Sequence, residues 1–389
     1  MRATPRIVIV YSKFGDGHYQ AARAMQEQFA AAGVTDVRLV DLFGESHPLW
    51  NAVSRYFYDK SMNRFPRLYG WSYEITNEMN SDGSFAKWLH SLGTRRLKAI
   101  LEAEQPDAVI HTFPFLAFYR MKERDGLSIP GYTVITDYVL HCRWLHPQTD
   151  GYFVATDALK AKMKARGVRD ERIHVTGIPL RKEFESPSRA GNVFREYGLD
   201  PNKRHVLVMA GAGGVFSDLK TLLPEFIGME SDLSFILVTG RNAKLYEELR
   251  NRFAGLPSVK VLGYVEGIHR LMSVSSCIVT KAGGLTLTEA LALRVPVIVY
   301  RPLPGQERGN AEYWADKGTV RIAADRNALR ESLQDLTDGV SWGGIAAVNG
   351  RASQNIAELV VSRLPLSGQL NRDGQLVPGK GRRVLHDFT

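Results

Sequence analysis

Two α/β domains, each wound about an open parallel sheet, are what this sequence predicts, on three observations. At 389 residues the chain exceeds what a single hydrophobic core organises, so it divides. Short β-branched or apolar runs alternate with amphipathic helical stretches, the rhythm of a parallel sheet covered on both faces. That rhythm runs once from Arg6 to Gly177, lapses in the polar segment Glu185 to Arg204, and resumes at His205. The expected layout is a first domain over 1–180, a linker over 181–203, a second domain over 204–345, a helix over 346–364 returning toward the first domain, and a tail over 365–389 rich in Gly, Pro and Arg.

Composition narrows the class. Hydrophobic residues are 44% and charged residues 23%, ordinary for a soluble globular protein. No run of about 18 apolar residues marks a membrane span, and no signal peptide is readable before the first strand. Cys142 and Cys277 lie far apart without metal-ligand spacing, which suits a reducing cytoplasm. The net charge of +9 favours an anionic partner: nucleic acid, an anionic membrane face or a phosphorylated substrate. Zinc-finger spacing, RNP-like aromatic strands and basic heptad helices are all missing, so nucleic acid is set aside and the membrane surface or a nucleotide-sugar leads.

Arg6 to Tyr11 opens the first sheet as a continuous β-branched run. It ends in Ser12-Lys13-Phe14-Gly15-Asp16-Gly17-His18, with a helix expected near Tyr19 that puts Ala21, Ala22, Met25 and Phe29 on one face. The third glycine of a dinucleotide fingerprint is missing there, and His18 stands in its place. A histidine so placed either caps the helix or takes a proton near neutral pH. Val37 to Asp41 is the next strand. The stretch from Trp50 to Tyr73 then breaks the rhythm, with Trp50, Phe57, Phe65 and Trp71 among Arg55, Lys60, Arg64 and Arg67. Rings interleaved with cations suit the headgroup level of a bilayer, and equally suit a core with a solvated face. Asp107 to His111 and Tyr132 to Thr136 are strands whose carboxyl ends carry polar chemistry, so His111, Pro114, Asp137, His141, Trp144 and His146 are expected around a cleft. No paired histidines with a carboxylate mark a zinc site. Gly151 to Ala155 and Arg172 to Gly177 complete the first sheet.

The second series comprises His205 to Met209, Phe235 to Thr239, Val259 to Leu262, Cys277 to Thr280 and Val295 to Tyr300. Two of its turns are glycine-rich: Ala210-Gly211-Ala212-Gly213-Gly214 and Ala282-Gly283-Gly284. Such strand-to-helix turns leave backbone N–H groups facing outward, the usual seat of a phosphate. Both are expected on the same edge. Thr286 or Thr288 is expected to cap the helix after the second. Glu289, about a turn further, is either a solvated helix residue or an acceptor for a vicinal diol such as ribose. Arg301-Pro302-Leu303-Pro304-Gly305-Gln306-Glu307 follows, a loop stiffened by prolines, with Asn310 at the head of a helix. Amide and carboxylate side chains there suit sugar hydroxyls, which donate and accept.

With both glycine turns, Thr280-Lys281-Ala282-Gly283-Gly284-x-Thr286-x-x-Glu289 and Pro304-Gly305-Gln306-Glu307-x-x-Asn310 in order, the chain resembles glycosyltransferase family 28. Within it, the chain is similar to the bacterial processive diacylglycerol glucosyltransferases and the plant monogalactosyldiacylglycerol synthases. The resemblance runs from about Arg6 to Leu364 and takes in Phe14 to His18, His111-Thr112-Phe113-Pro114, Thr136-Asp137, Gly177 to Arg181 and Gly263-Tyr264-Val265. It implies a GT-B fold, two facing Rossmann-like domains with an inter-domain cleft, the second holding the nucleotide-sugar and the first the lipid acceptor. By position it puts uracil near Tyr264 and Val265, phosphates on Gly213, Gly214, Gly283, Gly284, Leu285 and Thr286, ribose on Glu289, and the hexose on Gln306 and Glu307, with Gly17 and Asn310 in the donor set. His18 falls where such enzymes keep a base. Asp16 stands where glycine or asparagine is commoner, and is expected to share proton handling. Lys281 or Arg241 would sit near the leaving diphosphate. The implied reaction moves a hexose from a UDP-sugar to diacylglycerol or a glycosyl-diacylglycerol with inversion, on the inner face of the cell membrane. No cofactor is expected, and no metal, since an Asp-x-Asp triplet is missing. A polyprenyl-linked acceptor, a UDP-sugar 2-epimerase and a non-catalytic UDP-sugar sensor are the alternatives.

Overall fold

The apolar runs become strands covered from both sides. The computed structural model describes residues 4–13, 16–46, 77, 93–185, 193–209, 223–224, 232–339 and 348–364. The first sheet comprises β1 (Arg6–Tyr11), β2 (Asp36–Asp41), β3 (Ala108–His111), β4 (Gly131–Val134), β5 (Gly151–Val154) and β6 (Ile173–Val175). The second comprises β7 (Arg204–Met209), β8 (Leu233–Val238), β9 (Val259–Leu262), β10 (Cys277–Thr280), β11 (Val297–Tyr300) and β12 (Val320–Ala323). Every recorded pairing is parallel. The strand orders are β2-β1-β3-β4-β5-β6 and β12-β11-β10-β7-β8-β9. Only β12 goes unforeseen: it is an edge strand of four residues with a half-buried Arg321, too short and too mixed to stand out.

Strand order decides where ligands go. In the first sheet the chain reverses its direction of growth between β1 and β3, in the second between β7 and β10. Connections leave such a pair on opposite faces, and a crevice opens outside the carboxyl ends. The β7–β10 register, Cys277 beside Val206 and Val279 beside Val208, brings the ends of both strands to one edge. Gly213 and Gly214, beyond β7, lie outside the described residues.

Two segments cross between the sheets. The Ala352–Ser362 helix leaves the second series and buries Ile356, Ala357, Val360 and Val361 with Ile7, Ile9, Met25 and Phe29 in the first core. Four buried positions at spacings of one, three and one make that face, and each large aliphatic side chain there contributes roughly 1.5–3 kcal/mol. In the other direction Tyr138, just after β4, enters the second core beside Leu287, Ala311 and Trp314. Its ring stacks on Tyr313 at 5.2 Å, and its hydroxyl donates to Thr288 Oγ1 at 2.6 Å. The segment read as a linker packs too: short helices Lys182–Glu185 and Val193–Tyr197 bury Phe184 and Val193 in the second core.

Candidate active site

The helix after β1 begins at Asp16, three residues earlier than the pattern suggests, so Asp16, Gly17 and His18 form its first turn. Phe14 and Gly15 lie outside the described residues. The His18 ring is fixed by the carboxyl end of β3: Nδ1 lies 2.6 Å from the Thr112 carbonyl oxygen and 3.2 Å from Thr136 Oγ1. A carbonyl only accepts, so Nδ1 carries the proton and Nε2 is left as the acceptor. Thr112 Oγ1 in turn donates to the His18 carbonyl at 3.0 Å. The Phe113 ring meets the imidazole edge-on at 5.0 Å, and Trp144 flanks it at 6.3 Å. Burial lowers the His18 pKa, while the Asp137 carboxylate and the Thr112 carbonyl oppose that shift. Asp137 is itself pushed up by burial, against the amide of Asn310, the charge of His18 and the amide of Gln306.

The second edge is built of backbone. The Gly284–Ala292 helix starts directly after the β10 turn, with Gly283 as its cap residue and no side-chain cap bond. The expectation that Thr286 or Thr288 caps it therefore fails. Thr286 lies in the first turn, and Thr288 donates back to the Gly284 carbonyl at 2.6 Å while accepting from Tyr138. The N–H groups of Gly283, Gly284, Leu285 and Thr286 thus form a helix mouth without a side-chain cap, suited to a diphosphate. Glycine at 284 answers to the facing domain: a Cβ there would lie 2.1 Å from the Thr136 carbonyl oxygen. A Cβ at Gly17 would lie 3.6 Å from the Leu285 side chain, so the two helix mouths face each other.

Glu289 is 7% exposed, and burial pushes its carboxyl up to about 7, with Arg181 opposing the shift and Glu183 adding to it. The Arg181 guanidinium lies 5.2 Å over the Phe184 ring. At the rim, Arg241 sits 4.8 Å over the exposed Tyr264 ring and pairs with Asp16 at 3.7 Å across the gap. Asp16 is thus turned to Arg241; His18 is the group that the β3 end holds. Val265 is partly buried against the second core.

Gln306 and Glu307 are the first residues of the Gln306–Ala315 helix, and Asn310 lies a turn inside it instead of at its head. Gln306 Nε2 donates to Asp137 Oδ1 at 2.6 Å. Glu307 accepts from the Leu303 N–H at 3.1 Å, and burial raises its pKa against the charge of Lys281. Asn310 is fully buried: Nδ2 donates to Asp137 Oδ1 at 3.0 Å and to the Ala282 carbonyl at 3.1 Å, and Oδ1 accepts from the Tyr138 N–H at 2.8 Å. One N–H thus reaches across the joint to Asp137 and the other stays within its own domain at Ala282.

Other expectations also change. His111 does not line a cleft: it is 1% exposed, wedged between the Phe118 and Tyr119 rings, and burial pushes its pKa down to about 3. The strand's alternation turns its side chain into the core beside Phe118 and Tyr119, while Thr112 continues to the edge. His141 caps the short Cys142–Trp144 turn by accepting from the Arg143 N–H at 3.1 Å. His146 stacks on Tyr119 at 5.6 Å, and Pro114 is half-buried beyond the β3 end. Trp50, Phe57, Phe65 and Trp71 lie outside the described residues. Among the described residues no cluster of His, Cys, Asp and Glu is arranged for a metal ion, and no helix is long and apolar enough to cross a membrane. Sequence reasoning missed Tyr138 and Gly309, where a Cβ would meet Val139 at 2.6 Å. Their partners lie more than a hundred residues away, and no local pattern signals them.

Known proteins carry the same combination. The family model for monogalactosyldiacylglycerol (MGDG) synthase matches residues 18–180, and that for the glycosyltransferase family 28 C-terminal domain matches residues 205–341. The processive diacylglycerol beta-glucosyltransferase of Bacillus cereus (strain AH187) is 41% identical over 337 residues, 86% of each chain. Its counterpart in Bacillus cytotoxicus is 40% identical over 339 residues, 87% of each. Among solved structures, UDP-GlcNAc 2-epimerase from Neisseria meningitidis superposes with a TM-score of 0.60 at 16% identity, covering 92% of this chain and all of that one. Acinetobacter baumannii MurG does so at 0.56 and 15%, covering 92% and 99%. At those identities the likeness shows the fold alone, two facing α/β domains of GT-B type. With both halves matched in order by its family models, the chain belongs to glycosyltransferase family 28, in the branch of the diacylglycerol glycosyltransferases.

Proposed function

We propose that this protein transfers a hexose, glucose before galactose, from a UDP-hexose to the free hydroxyl of diacylglycerol, with inversion at the anomeric carbon, and that glycosyl-diacylglycerol serves as a further acceptor. Glycosyl transfer to diacylglycerol follows from family membership; donor, stereochemistry and base are our reading. The observation that carries it is the imidazole of His18, held through Nδ1 by the Thr112 carbonyl at a helix mouth facing the uncapped Gly284–Ala292 helix.

An alkyl hydroxyl is a weak nucleophile at neutral pH, and a positioned base is worth about 10²–10⁴ in rate. His18 Nε2 takes the acceptor proton as the oxygen attacks the face of the sugar opposite UDP. The C1–O bond to the diphosphate breaks as the new C–O bond forms, so an α-linked donor gives a β-linked lipid. The leaving diphosphate gains charge, and the helix mouth at Gly283 to Thr286 meets it, with Lys281 and Arg241 at hand. Glu289 accepts from the ribose diol, Tyr264 and Val265 border the uracil, and Gln306 and Glu307 read the hexose hydroxyls. No cofactor or metal enters this scheme, so chelation with EDTA is expected to leave turnover unchanged.

Incubation with diacylglycerol and each UDP-hexose, followed by separation of the lipids, tests the reading. A β-hexosyl lipid from UDP-glucose is expected. Epimerised UDP-sugar without acceptor, or bound donor with no UDP released, would favour the epimerase or the sensor instead. We place the protein on the cytoplasmic face of the cell membrane, held by its basic surface and the aromatic stretch. Replacing Trp50, Phe57, Phe65 and Trp71 with serine is expected to release the folded protein from anionic vesicles, and undiminished co-sedimentation would discard this placement.

A further inference from the structure

Asp137 occupies an unusual position for a buried carboxylate. It follows β4 in the first domain and is 4% exposed. Both recorded donors to its Oδ1 belong to the other domain: Gln306 Nε2 at 2.6 Å and Asn310 Nδ2 at 3.0 Å. Its neighbour Thr136 reaches His18 Nδ1, and of the surrounding charges Asp137 is the one that acts on the imidazole. Asp16, on the histidine's own helix, is exposed and turned to Arg241, and Lys281 acts on Glu307. Burying an ionised carboxylate is costly unless hydrogen-bond donors compensate, and both donors described here come with the second domain.

Resting on the transferase reading above, we infer that Asp137 is a positioning residue that makes the base conditional on domain closure: the amides of Gln306 and Asn310 keep its carboxylate ionised, and that charge stabilises the imidazolium His18 becomes when it takes the acceptor proton. With the domains apart, Asp137 loses both donors, takes up a proton, and leaves His18 a weaker base. The same contact orients Gln306. Its NH₂ faces the carboxylate, so Oε1 is the atom left to accept from a sugar hydroxyl. One carboxylate thereby joins proton acceptor and sugar reader, and deprotonation of the lipid before the donor domain docks is disfavoured.

The test is the pH dependence of kcat/KM in the Asp137→Asn protein, with UDP affinity measured by calorimetry. Removing the anion lowers the His18 pKa, so the acid limb moves to lower pH by about one unit while the plateau falls about a hundredfold, with UDP affinity held within about threefold. Tyr138→Phe, which loses the Thr288 bond but keeps the charge, is expected to leave the acid limb in place. An unshifted limb in Asp137→Asn, or the same shift in Tyr138→Phe, would overturn the inference. If Asp137→Asn does not fold, NMR titration of His18 in Gln306→Ala reads the same effect without turnover: a downward shift supports the inference and an unchanged midpoint refutes it. These outcomes are separate from failure of the transferase reading, which would appear as wild-type protein forming no hexosyl lipid.

Discussion

The two sheets share a topology and use it differently. Each reverses strand order once, between β1 and β3 or between β7 and β10, and each opens a crevice at that point. At the first, side chains supply the chemistry: His18, Thr112, Thr136 and Asp137 fix one another through hydrogen bonds and charge. At the second, glycines clear the way for backbone N–H groups, and the buried Glu289 sits a turn inside the helix. In the proposed reaction a proton moves at the first edge and a diphosphate leaving group is received at the second. A titratable ring suits the first task, while a fixed dipole that never changes protonation suits the second. Fold alone does not distinguish these uses; the residues at the strand ends do.

That contrast breaks first where the edges touch. In Gly284→Ala the new methyl group meets the Thr136 carbonyl, so the helix mouth must retreat from His18. A displacement of about 1 Å costs as much as a hundredfold in rate, and we expect turnover to fall on that order while thermal melting stays cooperative. Wild-type turnover would show that the edges need not approach so closely.

A smaller effect is expected from Glu289→Gln, which keeps the shape but replaces a carboxylate acceptor by an amide. UDP affinity should drop about tenfold by calorimetry, the scale of one charge-assisted hydrogen bond. Unchanged affinity would remove Glu289 from the ribose site.

A different kind of effect lies in stability and separates the first edge from the core behind it. His111 has its folded-state pKa depressed to about 3 by burial, so the fold favours the neutral ring. Its contribution is complete above the unfolded value near 6.5. It is lost as pH falls from there toward 3, by up to about 1.4 kcal/mol per unit, because the unfolded chain binds a proton the folded one resists. His111→Phe, which suits the aromatic pocket, should flatten the acid side of the stability profile measured by urea unfolding. An identical profile would mean His111 is protonated in the folded state.

Much of the fold was legible because parallel strands buried on both faces announce themselves as continuous apolar runs. Arg6–Tyr11 and Cys277–Thr280 could be read to the residue. Residues whose role comes from the next atom along the backbone were legible too, as with the glycines before the Gly284–Ala292 helix. What stayed hidden depends on side-chain direction or on a distant partner. His111 and Thr112 are adjacent, yet one faces the core and the other holds His18, a choice set by strand alternation at the last residue of β3. Asn310 matched a sugar-binding motif, but its donors are spent on Asp137 and Ala282, 173 and 28 residues away.

The division of labour between the two edges is tested most directly by His18→Ala, assayed for diacylglycerol-dependent UDP release alongside calorimetry with UDP. Turnover reduced by at least about a hundredfold, with UDP affinity within about twofold of wild type, is expected. Turnover close to wild type, or a loss of UDP binding as large as the loss of rate, would contradict it.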